Sequence, residues 1–352
     1  MTSPYLSNIS TNPAAEFSKT TRITNTGALT SHGNRVGRRA IIEILEAGLR
    51  AADPYYNVFK LMKLAGPDTL VIGSPDFEPP GDPRSGEEII DLSEVGRIFV
   101  LGAGKGIQRT AKAIEEILGD RLTGGHVIDK QGTPLILDNI EVTFGAHPVP
   151  DEACVRGCER ILEICRNLRP DDLVFTVVGN GVSSLLTLPV PQVSLADIQH
   201  ITYRFQIERG GPTLDLIPIR NHLDRMKGGK FSRYIQPARA IHLVAFLRPS
   251  YRELMEGEIY QWLHTLPDVT TFADAVNSLK KWELWDETPP AIREFFCRAD
   301  PAQETLKVPE FETMDARVFC ILPEHLGMAP TACNKAAELG FTPHLLFNNY
   351  TM

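Results

Sequence analysis

The residue types best suited to chemistry in this sequence lie in a glycine-rich stretch after a short apolar run. The apolar run covers residues 98–101 and stops at 102–106, GAGKG, which contains Lys105. Apolar residues at helical spacing follow at 107–118. A strand, a glycine turn and a helix together offer backbone N–H groups and a positive helix end to an anion, with an ammonium beside them. The stretch predicts a phosphate site or, equally well, an ordinary turn with a solvated lysine.

This glycine turn matches neither common nucleotide-binding motif. The P-loop pattern requires Ser or Thr after the lysine, but Lys105 is followed by Gly106. The dinucleotide pattern requires a third glycine where this chain has Ile107. Gly102, Gly104 and Gly106 therefore become candidate phosphate-binding residues only in combination with other stretches.

Two further glycine-rich loops follow predicted strands. The strand pattern at 140–144 runs into 145–152, GAHPVPDE, which contains the candidate ligand-binding residue His147. The strand pattern at 172–178 runs into GNGVSS at 179–184, where backbone N–H groups and two hydroxyls can face an oxyanion. A plain turn capped by the serines is an equal alternative, and the G-x-S-x-G nucleophile pattern is absent. The candidate binding residues of this second loop are Gly179, Asn180, Gly181, Ser183 and Ser184.

The fourth candidate stretch is the charged run at 217–229, IPIRNHLDRMKGG. Arg220, Asp224 and Lys227 are spaced i, i+4 and i+7, which predicts one face of a helix. Such a face is usually only solvated, but here a glycine pair and a second lysine follow it, just before a predicted strand. The candidate anion-binding residues of this run are Arg220, His222, Lys227, Gly228 and Gly229.

The predicted strands alternate with helical patterns of ten to fifteen residues. Amphipathic patterns cover 36–51, 152–168 and 195–206, among others. Further helices are predicted at 55–64 and 251–266, and a further strand at 342–347. This alternation predicts an α/β fold with a mostly parallel sheet covered on both faces. Because ligands of such sheets bind outside the carboxyl ends of the strands, the glycine-rich loops should gather at one rim.

Composition excludes several classes of protein. The 352 residues are 43% hydrophobic and 23% charged, with a formal net charge of -8, which argues against a nucleic-acid partner. The sequence has neither a long apolar run for a membrane span nor the apolar core of a signal peptide, so we expect a cytoplasmic protein. The six cysteines lack a C-x-x-C pattern and a histidine cluster, so we expect reduced thiols and no protein-bound zinc.

Taken in order, the motifs resemble the glycerate 2-kinase family of the bacterial D-glycerate kinase type. The similar pieces are G-x-G-K at 102–105, G-x-H-P-V-P-D-E at 145–152, I-R-x-H-L-x-x-x-K-G-G-K at 219–230 and P-D-x-T-T-F-x-D-A at 267–275. A DLV strand that ends in a glycine and serine loop lies between the second and third pieces. Several ordered motifs together are far more specific than any one of them.

The resemblance implies a Rossmann-like three-layer α/β/α sandwich, followed in the family by a smaller α/β domain. It also implies transfer of a phosphoryl group from ATP to the 2-hydroxyl of D-glycerate, with ATP and Mg²⁺ implied by the family alone. Lys105 would be the catalytic lysine that holds phosphate charge, because phosphoryl transfer depends on positioning and charge neutralisation. Arg220, His222 and Lys227 would bind the acid or the transferring phosphoryl group, with Arg220 and Lys227 counted as catalytic.

The sequence also departs from the family pattern. A Ser-Gly-Gly-Gly-Ser loop of the family is replaced by VGNGVS at 178–183. The family's Ser-Asp motif, suited to hold Mg²⁺, is replaced by FLRPSY at 246–251, with Arg248 and no carboxylate before Glu253. The sequence stops at Met352, where the second domain would begin, so we expect half of the cleft to be missing from this chain.

Three functional hypotheses follow. The chain is a kinase for a hydroxy acid, or one subunit of a larger ATP-dependent complex that phosphorylates a hydroxyl or enol oxygen of a small organic substrate. The alternative is a non-catalytic, kinase-like scaffold or regulatory subunit. We favour phosphoryl transfer because a scaffold needs no such polar set at strand ends. We expect a homo-oligomer or hetero-subunit, a flexible arm at 1–35, a glycerate kinase-like domain at 36–352 and no membrane partner.

Overall fold

A computed structural model describes residues 21–346 of the chain. A six-stranded parallel sheet with the strand order β6-β5-β4-β7-β8-β9 forms its centre, and a three-stranded antiparallel sheet, β1-β2-β3, lies beside it. The strands of the described residues are β1 Met62–Gly66, β2 Thr69–Ile72, β3 Glu88–Asp91, β4 Ile98–Ala103, β5 Gly124–Lys130, β6 Glu141–Gly145, β7 Leu173–Val178, β8 Arg239–Val244 and β9 Ala316–Cys320.

Helices cover both faces of the parallel sheet, and further helices form a separate layer. Their bounds are α1 Thr26–Leu29, α2 Arg35–Ala51, α3 Pro54–Leu61, α4 Gln108–Leu118, α5 Glu152–Cys165, α6 Val182–Leu185, α7 Leu195–Thr202, α8 Thr213–His222, α9 Lys230–Ile235, α10 Tyr251–Glu256, α11 Phe272–Lys281, α12 Pro290–Arg298, α13 Val308–Phe311 and α14 Met328–Glu338. Within residues 21–346, every helix is too short or too polar to cross a lipid bilayer.

The central strands are continuous apolar runs because both faces of the sheet are covered. Every residue of β4 and of β7 is buried. Successive side chains of β4 point to opposite faces, so Leu101 packs in the same core as Ile161 of α5, whereas Val100 packs with Ile114 of α4. This arrangement confirms the predicted α/β/α sandwich with a parallel sheet.

A third apolar cluster lies outside the sheet and supports the charged run of the sequence. Residues of α7, α8, α11 and α12 form this cluster. The α7 helix begins where expected because Ser194 and Asp197 form a reciprocal N-terminal cap. Ile219, on the last turn of α8, is fully buried in this cluster. The cluster therefore fixes the end of α8, which carries Arg220.

Several predicted element boundaries are wrong. The helix expected at 55–64 ends at Leu61 because Met62 begins β1 and pairs with Ile72 of β2. The helix expected at 251–266 ends at Glu256, and the strand expected at 342–347 has no regular structure over 342–346. In the predicted arm, residues 1–20 lie outside the described residues. Residues 21–35 contain the short α1 helix.

Candidate functional site

The glycine-rich loops after β4 and β7 contact each other at the carboxyl edge of the sheet. The N–H of Lys105 donates to the carbonyl oxygen of Asn180 over 2.7 Å, and the N–H of Gly179 donates to that of Ala103 over 3.2 Å. These bonds form because β4 and β7 are parallel neighbours, so their ends lie side by side. The structure thus brings together the loop at 102–106, here called the lysine loop, and the loop at 179–184, here called the serine loop, as the sequence predicts.

The glycines of the lysine loop serve the packing of the strands. A Cβ atom on Gly102 would overlap the carbonyl oxygen of Val177, and one on Gly104 would lie 2.9 Å from the backbone of Gly179. The backbone N–H groups of Gly104 and Gly106 donate to Ile128 and Asp129 within the protein. The predicted phosphate cradle is therefore absent from this turn, because its N–H groups already have acceptors.

The free backbone donors lie in the serine loop instead. Within residues 21–346, the N–H groups of Asn180, Gly181 and Ser183 have no hydrogen-bond acceptor. Gly181 has φ of 84°, which turns the chain from β7 into the short α6 helix. Ser184 is buried, and its hydroxyl donates to the carbonyl oxygen of Ala146. It therefore ties the serine loop to the loop after β6, which contains His147, and does not face a ligand.

His147 and Lys105 meet at Gly181. A Cβ atom on Gly181 would lie 2.9 Å from Cγ of Lys105 and 3.1 Å from Cδ2 of His147. Burial lowers the pKa of His147, and the nearby charges of Lys105, Lys130 and Arg220 lower it further. Three cations therefore surround one neutral imidazole.

The cations of this group are not neutralised by the part of the chain that the structure describes. Lys105 and Lys130 are exposed and form no ion pair with residues 21–346. The half-buried Arg220 donates to the neutral amide oxygen of Gln206 over 2.8 Å. Burial lowers the pKa of Arg220 to about 10, so the guanidinium still carries its charge at neutral pH. The group is suited to bind an anion from outside the protein.

A narrow cleft lies between the serine loop, α7 and the end of α8. Arg220, Ser183 and Lys227 line it on the polar side, and Ile198 and Ile201 line it on the apolar side. The accessible volume of this cleft is about 10 Å³, room for roughly one water molecule. A ligand group that enters it would contact Arg220 and Ser183 on one side and aliphatic carbons on the other.

Lys227 enters the cleft as half of a buried ion pair. Its ammonium donates to Oδ2 of Asp224 over 2.6 Å and to Oγ1 of Thr187 over 2.8 Å, and both charged side chains are buried. The predicted single helical face of residues 220, 224 and 227 is wrong because α8 ends at His222. Lys227 is therefore held by Asp224 and is not a free catalytic cation.

His222 does not face the cleft. Its ring is fully buried, with Nδ1 2.7 Å from the carbonyl oxygen of Pro218 and Nε2 2.7 Å from a carboxylate oxygen of Glu304. Burial would raise the pKa of Glu304, but its hydrogen bond and charge interaction with His222 lower that pKa to about 2. Nδ1 is thus engaged within α8 and Nε2 holds the helix to Glu304, so the predicted ligand-binding role of His222 is not supported.

Gly228 and Gly229 have a packing role. Their φ angles are 60° and 76°, a conformation that favours glycine. A Cβ atom on Gly229 would lie 2.6 Å from the carbonyl oxygen of Leu266, and one on Gly228 would lie 3.0 Å from a carboxylate oxygen of Asp268. The glycine pair allows the 266–268 segment to pack closely here, and its anion-binding role stays a prediction.

One residue of the site had no signal in the sequence. His264 is buried, and its Nε2 lies 3.1 Å from Oγ of Ser183, which is 81 positions away along the chain. The positive charges of Lys227 and Arg220 lie close enough to lower the pKa of His264. A lone histidine just before the P-D-x-T-T-F motif gives no indication that it reaches this cleft.

The described residues do not fit a protein-held metal ion. Between residues 21 and 346, no three His, Cys, Asp or Glu side chains gather in a way that could hold one. The guanidinium of Arg248, the residue considered above in place of an acidic motif, donates to the carbonyl oxygen of Pro75. We therefore assign no step to Mg²⁺.

We expect Gly181→Ala to weaken the binding of inorganic phosphate about tenfold, because the new methyl group would displace Lys105 and His147. The positive φ adds a stability cost of about 1–2 kcal/mol. Gly210→Ala is the matched control, since Gly210 has φ of 66° and nothing within 4 Å of the added carbon. Calorimetric titration and thermal melts of both variants measure these effects, and equal phosphate affinities would contradict the expectation.

The chain is similar to one family of known proteins and to two glycerate 2-kinases. The family described as "Domain of unknown function (DUF4147)" matches residues 40–245. The chain is 27% identical over 315 residues to a glycerate 2-kinase of Pyrococcus horikoshii, covering 87% of this chain and 65% of that protein. It is 30% identical over 221 residues to a D-glycerate 2-kinase of Thermotoga maritima, covering 62% of this chain and 51% of that protein.

A solved structure agrees with these matches. The crystal structure of a glycerate kinase from Thermotoga maritima is similar, with a TM-score of 0.63 and 26% identity. The similarity covers 86% of this chain and 63% of that one. The chain thus spans about half to two thirds of the length of the proteins it matches.

Proposed function

Because this chain belongs to the DUF4147 family and, with its relatives, to the glycerate 2-kinase family, we propose that it carries a phosphoryl-transfer site. The substrate would be a small hydroxy acid, D-glycerate or a close analogue, and the donor would be ATP. One observation carries the proposal: Lys105, Lys130 and Arg220 surround His147 at the rim of the sheet, and within the described residues no carboxylate pairs with these cations. A group of cations without carboxylate partners is suited to hold an anionic ligand by charge-assisted hydrogen bonds.

The residues of the site divide into three roles. The ammonium of Lys105 would hold the charge of the transferring phosphoryl group, where charge neutralisation matters most. Arg220 would bind the substrate carboxylate, because its planar fork suits that group. The free N–H groups of Asn180 and Gly181 would hold further phosphate oxygens.

His147 would accept the proton of the attacking hydroxyl. Burial and the neighbouring cations lower its pKa below the usual value of a histidine. A lowered pKa leaves the imidazole neutral at pH 7, so a ring nitrogen remains free to take a proton. With its ring in contact range of Lys105 across Gly181, the base would stand beside the phosphate-binding cation.

The proposal also covers the part of the cleft that this chain does not supply. Since the chain spans about 51–65% of the curated relatives' lengths, we propose that a further unit, in the same polypeptide or in another chain, completes the cleft. We also propose that the protein uses a nucleotide, lies in the cytoplasm and forms part of a larger complex. A non-catalytic, phosphate-binding scaffold is the competing function, favoured by the lack of clustered metal ligands in residues 21–346.

The deciding experiment is direct. The purified chain is incubated with ATP, Mg²⁺ and D-glycerate, and ³¹P NMR follows the formation of 2-phosphoglycerate and ADP. Product formation supports the kinase. If ATP binds in calorimetry but no product forms, even with co-purified partners, the scaffold function is the correct one. If neither ATP nor D-glycerate binds, both functions fail.

We expect Arg220→Met to raise the KM for D-glycerate about 30-fold, the usual range for losing a charge-assisted hydrogen bond. Stability should change little, because the guanidinium has no carboxylate partner within residues 21–346 whose charge would be left unpaired. Arg209→Met is the control, since the exposed Arg209 pairs with Glu287 on the surface. Steady-state kinetics at saturating ATP provide the measurement, and an unchanged KM would remove Arg220 from the substrate site.

A further inference from the structure

The buried His264 has no role in the proposed phosphoryl transfer, but its ring contacts the hydroxyl of Ser183, which lines the cleft. His264 is 1% exposed, and its Nε2 lies 3.1 Å from Oγ of Ser183. Ser183 lines the cleft beside Arg220. The other ring nitrogen of His264, Nδ1, has no hydrogen-bond partner among residues 21–346. The contact with Ser183 is therefore the one polar bond that this ring makes in the described chain.

The surroundings of His264 keep its ring neutral. Burial lowers the pKa of His264 well below its usual value, and the charges of Lys227 and Arg220 lower it further. A neutral imidazole carries one N–H and one bare nitrogen. If the hydrogen were on Nδ1, an N–H donor would be buried without an acceptor, and such orphaned donors are rarer than unsatisfied acceptors. On Nε2 the hydrogen has the oxygen of Ser183 as its acceptor.

We propose that His264 is a positioning residue whose Nε2–H donates to Oγ of Ser183 and so directs the serine O–H into the cleft. The hydroxyl then donates to an anionic oxygen of the ligand, a carboxylate or phosphoryl oxygen. The identity of that ligand rests on the proposed function, whereas the hydrogen-bond direction does not. Ser183 then adds a side-chain donor to the free N–H groups of Asn180 and Gly181.

Packing alone does not account for a histidine at this position. An aromatic or aliphatic side chain would fill the same space without burying an unpaired nitrogen, which costs free energy. What the imidazole adds is a fixed donor toward Ser183. A serine hydroxyl rotates freely when nothing holds it, and a neighbouring donor removes the orientation in which its hydrogen points away from the ligand.

The direction of the hydrogen bond is tested without any ligand. ¹⁵N-histidine is incorporated into the full chain, and the His264 signals are assigned by their absence in His264→Gln. We expect the Nε2–H tautomer, unchanged from about pH 6 to about pH 8, the range in which an ordinary histidine titrates. The Nδ1–H tautomer, or a ring that titrates in this range, would overturn the proposal.

The positioning role is tested by a double-mutant cycle. His264→Phe should raise the KM for D-glycerate about tenfold and change kcat by less than about threefold, whereas His264→Gln, which keeps a donor, should restore most of the loss. In a Ser183→Ala background, His264→Phe should add less than about twofold, because the two residues act through one hydroxyl. Equal effects in both backgrounds would show a purely structural role.

The cycle also separates this inference from the proposed function. If the wild-type chain transfers no phosphoryl group, the proposed function fails, and the same variants are titrated with inorganic phosphate. Loss of phosphate affinity in His264→Phe that disappears in the Ser183→Ala background still supports the positioning role. An affinity that depends on Ser183 but not on His264 would refute it. Thermal melts of each variant exclude loss of the fold.

Discussion

Replacing Lys105 by alanine should lower kcat/KM for phosphoryl transfer about 1,000-fold, the upper range for removing one donor to developing charge. The melting temperature should change by less than about 2 °C. Both expectations follow from the position of the residue: its side chain is exposed at the rim of the sheet and forms no ion pair with residues 21–346. The backbone bond from Lys105 N–H to Asn180, which fixes the loop, does not depend on the side chain.

The control for this prediction is Lys63→Ala. Lys63 is also an exposed lysine, but it lies in β1 of the small antiparallel sheet. Its replacement should leave both turnover and melting temperature unchanged. Turnover by ³¹P NMR and scanning calorimetry measure the two quantities. A large fall in melting temperature for Lys105→Ala would mark the lysine as structural, and full activity in that variant would remove it from the transfer step.

The second large effect concerns stability: Asp224→Ala should lower the free energy of unfolding by about 3–5 kcal/mol, the usual result of removing one partner of a buried ion pair. The change leaves the buried ammonium of Lys227 without its counter-charge. It also removes the acceptor of two backbone N–H groups, those of Leu188 and Met226. Denaturant unfolding followed by circular dichroism measures the loss.

Variants of both residues test whether the Asp224–Lys227 ion pair is structural or catalytic. Asp224→Asn combined with Lys227→Met removes both charges and should recover much of the lost stability, because neither charge is then left unpaired. Glu256→Ala is the surface control: Glu256 pairs with Arg252, both residues are exposed, and its loss should cost less than about 1 kcal/mol. If Asp224→Ala left stability intact and abolished turnover, the pair would belong to the chemistry.

The fold was accessible from the sequence because its central signals are local. The β4 and β7 runs are almost entirely apolar and fully buried, and the helix after β4 carries apolar residues at helical spacing. The weaker predictions lie where local propensity competes with pairing. Residues 62–64 continue a helical pattern, yet they form β1 because β2 lies beside them in the folded chain. Pairing with the next strand of the hairpin overrides the helical preference there.

The sequence also located the loops of the site, for a physical reason. Parallel strands end at the same edge, so the loops after β4, β6 and β7 had to gather at one rim. Lys105, His147 and Gly181 are neighbours as a result. Their roles in binding and transfer remain predictions.

What the sequence by itself determined is the α/β sandwich and the rim at which its unusual loops meet, since apolar periodicity and parallel topology are sufficient for both. Only the tertiary structure decided which polar residues are free to act. Lys227 is held by Asp224, His222 by Glu304, and His264 reaches Ser183 from far along the chain. The reason is that the spacing of residues in a sequence specifies neither burial nor the partner of a charge, and both are set by contacts between distant segments.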